Sequence, residues 1–160
     1  MPFLSLIKLL YLSERLSYQE YGYPISGDHL VSMDHGPVLS RTYDHIKGAR
    51  KSTPRGWDTW IADQADYMVS LTESGRQADF DELSESDVEV LDSVWQEYGH
   101  LGRWDLVNLT HTLPEWEDPN GTSIPIPPQK LLASLGYSPE AIEHMLQQLK
   151  HQRAFDSQFA

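Results

Sequence analysis

Pro2–Phe–Leu–Ser–Leu–Ile–Lys–Leu–Leu–Tyr–Leu–Ser–Glu–Arg–Leu–Ser–Tyr–Gln–Glu–Tyr21 reads as one long helix. Phe3, Leu6, Ile7 and Leu10 recur at helical spacing, and Leu9, Leu12 and Leu16 add a second apolar face. A helix that is apolar on two sides needs packing partners on both, so it belongs at the centre of a helical domain. Gly22 is its expected stop, and Pro24 prevents continuation.

Outward from this helix, Ile25–Ser26–Gly27–Asp28 reads as a turn into a short extended piece around Leu30 to Met33. His35–Gly36–Pro37–Val38 reads as a tight connection into a second helix. Pro37 would sit in its first turn, Val38, Tyr43 and Ile46 would face the core, and Gly48 would close it. Residues 49–56 are polar and suit an exposed loop. Asp58 to Thr72 alternates as a hairpin would, with Trp60 and Ala62 opposite Tyr67, Val69 and Leu71 around an Asp63–Gln64–Ala65–Asp66 turn.

Ser84 with Asp87 predicts a capping box, followed by a helix whose stripe is Val88, Leu91, Trp95 and Tyr98. A short helix over Trp104 to Thr110 is followed by an exit through His111 to Glu117. Ile124 to Pro128 is extended, because residues before proline avoid the helical region. Two helices close the chain: Gln129 to Leu135, and one opened by Ser138 and Pro139 with an Ile142, Met145, Leu146 and Leu149 stripe. The last ten residues, being polar, are expected to fray. The expected fold is mainly α, compact, with a small β-hairpin or sheet, and one domain over residues 1–160.

Composition narrows the function. Cysteine is absent, which removes disulfides, thiolate metal sites and cysteine nucleophiles and fits a reducing cytoplasm. Twelve Lys and Arg stand against 24 Asp and Glu, so most of the surface repels nucleic acid and suits a basic protein partner. Lys47, Arg50, Lys51 and Arg55 form the only local basic cluster, and a solvated loop explains it. No apolar run approaches the length of a membrane span, so no membrane partner is expected.

Motifs for catalysis are missing. No H-E-x-x-H pair, G-x-S-x-G elbow or phosphate-binding glycine loop occurs, and the spacings His29–His35 and His144–His151 match no common metal signature. Asp79 with Asp81, or Glu115 with Glu117, are available for acid–base chemistry, but the sequence gives no reason to prefer that over a solvated acidic face. No enzyme activity and no cofactor are therefore expected, with a metal-dependent enzyme using His35 or His111 as the remaining alternative. His35–Val38 and Leu109–Thr110–His111 with Trp116 stand out. They serve either as helix junctions or as the borders of a partner-binding groove.

These residues carry a resemblance. Lys8–Leu–Leu–Tyr11–Leu12, Tyr21–Gly–Tyr–Pro24, His35–Gly36–Pro37–Val38 with Tyr43, Leu83–Ser84 with Asp87, Tyr98–Gly99, and Thr110–His111 with Trp116 stand in the order of the Panacea, or SocA-like, domain. The similarity covers residues 4–117, leaving 118–160 as a Pro-rich arm and terminal helices.

The resemblance implies a helical antitoxin that neutralises a small protein toxin encoded by an adjacent, often phage-associated, gene. A proteolytic adaptor delivering the toxin to a Clp-type protease is the alternative. It implies no catalytic residue. Lys8, Tyr11, Gly36, Pro37, Val38, Tyr43, Thr110, His111 and Trp116 enter as fold markers and as a possible groove border. Family members commonly carry a further helix before the Lys-Leu-Leu-Tyr segment, whereas Met1 stands seven residues before Lys8. Either the start is called too late, or that face is covered another way, for example by a second copy of the chain. Ile142, Met145, Leu146 and Leu149 are the candidate helix for toxin or self contact.

Overall fold

A computed structural model describes residues 1–62, 65–79 and 81–159. The first helix, α1 (Phe3–Tyr21), ends where Gly22 adopts φ 76° and returns its N–H to Tyr18 O. Its two apolar sides face two clusters. Ile7, Tyr11 and Tyr18 join Leu30, Val38, Ile126, Leu131 and Leu132 on one side. Leu9 and Leu12 meet Val94 and Leu106 on the other.

The chain then returns along α1. Glu14 is buried, and its Oε1 accepts the Ile25 and Ser26 N–H groups at 2.6 and 2.9 Å, while Oε2 takes the Ser26 hydroxyl. This carboxylate shapes the 23–28 turn. Strands β1 (Leu30–Met33) and β2 (Gly36–Leu39) follow as an antiparallel hairpin, with Leu30 opposite Leu39 and Met33 opposite Gly36. The expectation that His35–Val38 leads directly into a helix is corrected here. Pro37 lies in a strand, and α2 (Ser40–Ile46) begins later.

A fixed proline φ serves an edge strand as well as a helix start. What starts α2 is remote: the Asp28 carboxylate accepts the Arg41 and Thr42 N–H groups, both at 2.9 Å. Val38 and Ile46 are buried as expected, and Tyr43 packs half-buried against the same core. Lys47, Arg50, Lys51 and Arg55 are exposed.

The segment after the loop departs further from expectation. Trp57–Trp60 forms a helical turn, α3, rather than the first strand of a hairpin. Among the described residues, antiparallel pairing across this segment survives as isolated bridges, Ile61 to Leu71 and Ala65 to Met68. The Asp63–Gln64 part of the expected turn lies outside the described residues. An alternation over a few residues does not distinguish a strand from one turn of helix. Residues 67–69 pair with the N-terminus instead: Phe3 N–H donates to Tyr67 O and Val69 N–H to Met1 O, both at 2.9 Å. Thr72 caps the four-residue α4 (Glu73–Arg76).

Helix α5 (Glu85–Tyr98) carries the predicted capping box, with Ser84 Oγ and the Asp87 carboxylate exchanging hydrogen bonds with backbone N–H groups. Its buried stripe is rotated from the expected one. Val90 and Val94 are buried, Leu91 and Tyr98 are half-buried, and Val88 and Trp95 are exposed. The two stripes lie side by side on the helix, and packing against α1 selects between them.

Helix α6 (Arg103–His111) also packs on α1. Strand β3 (Ile124–Ile126) then pairs with β1 to complete a sheet of order β2-β1-β3. Pro37 and Pro125 both stand on edge strands, so the central strand keeps every backbone donor. Helix α7 (Pro128–Ser134) buries Leu131 and Leu132 in the main core. Helix α8 (Pro139–Phe159) starts at Ser138, whose hydroxyl accepts the Ala141 N–H. It runs through the stretch expected to fray, where Gln152 donates to Asp156 one turn on. Mainly helical with a small sheet describes the result. Among the described residues no helix is long and apolar enough to cross a membrane.

Candidate functional site

Lys8, Tyr11 and Arg15 lie at i, i+3 and i+7 on α1, so they line one face of that helix. Lys8 is completely buried, and its Nζ donates to Pro37 O on β2 at 2.8 Å. Tyr11 donates its hydroxyl to Glu115 Oε1 at 2.8 Å, and Arg15 Nε reaches the same oxygen at 2.7 Å. The pairing of Glu115 with Glu117 as solvated acids is therefore corrected: Glu115 is fully buried, whereas exposed Glu117 meets Lys130 at 2.5 Å. Desolvation, followed by the Glu115 charge, holds the Tyr11 phenol protonated well above its ordinary range.

Gly36 has φ 99°, and a Cβ there would stand 2.7 Å from Thr110 Oγ1 and 3.0 Å from Lys8 Nζ. Its missing side chain lets α1 and α6 close on β2 together. Thr110 turns its hydroxyl back to Leu106 O at 2.9 Å. His111 stacks on Trp116 with ring centroids 4.2 Å apart. Both rings grip the β1–β2 turn, His111 Nε2 lying 3.0 Å from Asp34 O and Trp116 Nε1 donating to Met33 O at 2.9 Å. All nine fold-marker positions thus gather around the hairpin and its neighbours.

A cleft of about 570 Å³ opens on this side, lined by Lys8, Gly36, Val38 and Tyr43 from that set. Phe3, Leu4, Met33, Tyr67 and Trp104 supply its apolar walls, and Asp34, His35 and Arg103 its polar rim. The aromatic rim stands out in water, with Tyr67 65% and Trp104 52% exposed. His35 packs edge-on against Trp104 at 5.4 Å, and the Arg103 guanidinium lies 5.8 Å from the same ring. Burial without a carboxylate partner lowers the Lys8 pKa to about 7.

Phe3, Tyr67 and Trp104 carried no sequence signal for this role, because they come from three separated segments. Ile142, Met145, Leu146 and Leu149 lie away from the cleft and pack against the chain's own core. His35 meets Trp104 edge-on, and His111 stacks on Trp116. Among the described residues no three His, Asp or Glu side chains converge as a metal-binding group.

Fold and cleft together define a mainly helical domain built on one central helix and a three-stranded antiparallel sheet. Residues 6–117 match the model of the Antitoxin SocA-like, Panacea domain, and the chain belongs to that family. No curated protein and no solved structure matches it. The family match ends at 117, before β3, α7 and α8.

Proposed function

We propose that this chain is an antitoxin that neutralises a protein toxin by binding it directly, through the face on which the cleft opens. The observation that carries the reading is that four of the fold-marker residues, Lys8, Gly36, Val38 and Tyr43, line an apolar cleft rimmed by two largely exposed aromatics, Tyr67 and Trp104. Rigid aromatic side chains at the edge of a concavity are the usual anchors of a protein interface. The formal charge of −12 favours a basic toxin and speeds its encounter. The α8 stripe is a weaker place for the contact, since its four residues already pack on the core.

The test is co-expression. Each reading frame adjacent to the gene is induced alone and then together with this chain, and growth is scored. A neighbour that is toxic alone and harmless in company supports the reading. A pull-down then supplies the complex, and replacing Tyr67 and Trp104 by Ala should abolish both rescue and capture. A toxin that disappears from rescued cells, instead of persisting in the complex, moves the reading to delivery to a Clp-type protease. No toxic neighbour overturns it.

A further inference from the structure

The floor of the cleft holds an amine without a counter-charge. Lys8 Nζ has one hydrogen-bond partner, Pro37 O, and the ion pairs among the described residues, Arg15–Glu115 and Lys130–Glu117, do not involve it. An ammonium carries three donors, so its charged form leaves two unanswered in a site from which water is excluded. In a chain with twice as many carboxylates as basic side chains, the lack of an acidic partner for this one buried lysine is a local property of the cleft. The fold positions the amine closely: Nζ bonds Pro37 O on β2, in the space that the missing Gly36 side chain leaves beside the open volume.

We propose that the cleft over Lys8 is a binding site for a carboxylate carried on an aromatic or aliphatic body. The ligand supplies the negative charge that the fold withholds; because Lys8 has no exposed surface, its amine swings from Pro37 O into the open volume to meet it and takes up a proton. Phe3, Val38, Tyr67 and Trp104 receive the apolar body. Arg103, held over Trp104 at the rim, provides a planar second donor for an arriving carboxylate. A monoanion suits the site better than a phosphate dianion, because the one buried amine balances one charge and the walls are apolar.

Ionisable groups around Lys8 are Tyr11 on its own helix, Asp34 and His35 on the β1–β2 turn, Tyr43 on α2, Tyr67, and Arg103 on α6. Asp34 faces water and accepts the Gly121 N–H at 2.9 Å, so its charge stays at the rim.

The experiment uses the full chain with labelled lysine, following the Lys8 side-chain resonance by NMR while 3-phenylpropionate is added. A tetrapeptide ending in Phe is added in a parallel arm. Their neutral amides and inorganic phosphate are the controls. The expected result is that the acids bind, the amides do not, and the Lys8 pKa rises by about one unit or more. Calorimetry at about pH 8 should then report net proton uptake, about 0.4 proton per ligand for a one-unit rise and more for a larger one, and this uptake should be lost in Lys8→Met.

Binding of the small acid points to a free carboxylic acid as the natural occupant, and binding of the peptide alone points to a chain terminus. Amides that bind as well as acids, phosphate that displaces them, or an unmoved Lys8 resonance each overturn the proposal. The resonance is read in the wild-type chain, so the test does not depend on the Lys8→Met variant. Toxin rescue is scored separately, so loss of this site leaves the antitoxin reading to its own experiment.

Discussion

The phenol of Tyr11 donates a 2.8 Å hydrogen bond to the carboxylate of Glu115, and both residues are fully buried. This contact ties the middle of the first helix to the exit from α6 across 104 residues of sequence. Arg15 completes it from a position still 18% exposed, where its guanidinium keeps partial contact with water.

Removing a donor from this carboxylate should therefore cost more than an ordinary surface bond. Tyr11→Phe is expected to destabilise by about 1–3 kcal/mol, since it leaves a charged oxygen short of a partner. Arg15→Met should cost roughly 2–4 kcal/mol, because Glu115 would remain buried without a counter-charge. Urea unfolding measures both, and Arg15→Met combined with Glu115→Gln should recover part of the loss.

Gly36→Ala combines two penalties. The φ of 99° strains any L-residue, and the new methyl would meet Thr110 Oγ1 at 2.7 Å and Lys8 Nζ at 3.0 Å. A loss of about 2–4 kcal/mol in thermal or chemical unfolding is expected. Adding Thr110→Ala should relieve the steric part and leave the backbone strain.

Lys8 makes stability depend on pH in a defined direction. Its pKa in the folded chain, about 7, lies below the ordinary lysine value of 10.5. The unfolded chain therefore binds more protons between these values, and the Lys8 contribution raises stability as pH climbs from about 7 towards 10.5. Below that window both states carry the proton, and the full cost of burying the charge is felt. Lys8→Met should stabilise the fold by roughly 1–3 kcal/mol at pH 7 and below, with the gain shrinking to nothing by about pH 10.5. A variant whose advantage is independent of pH would contradict this origin.

The Glu14 carboxylate accepts the Ile25 and Ser26 N–H groups and the Ser26 hydroxyl. Glu14→Gln places an amide N–H where an acceptor is required. Hydrogen exchange at the Ile25 and Ser26 amides should quicken by about tenfold or more, equivalent to about 1.4 kcal/mol, while exchange in α5 stays unchanged.

Leu131 and Leu132 are fully buried beside Ile7 and Tyr11, although they lie beyond the family match. A chain ending at 117 loses β3, α7 and α8 and uncovers that core. It should lose cooperative unfolding, as judged by circular dichroism and urea titration. Leu131→Ala in the full chain should cost about 2–5 kcal/mol.

Much of this architecture was legible in the chain because the signals are local. The periodicity of α1, the Ser84–Asp87 box, the Gly22 stop, and the Ser138–Pro139 start each depend on residues within one or two turns of one another. The cleft was only half legible. Lys8, Gly36, Val38 and Tyr43 stood out as motif positions, whereas Phe3, Tyr67 and Trp104 meet them only after the N-terminus pairs with residues 67–69 and α6 docks on α1. The readings at Pro37 and Trp57–Trp60 failed for a related reason: a fixed φ and a short alternation each suit more than one backbone state.

By itself the amino-acid sequence determined that α1 is apolar on two sides and must be covered twice, which requires helices around it and permits a small sheet. The sequence also determined which residues end or begin the helices, because capping and backbone freedom are properties of neighbouring residues. Only the tertiary structure decided that Glu115 is an interior partner of Tyr11, that Val90 and Val94 rather than Val88 and Trp95 face inward, and that Lys8 lies buried without a carboxylate. Those outcomes depend on which groups meet across long loops, and burial changes the energy of a charge by more than its sequence neighbours do.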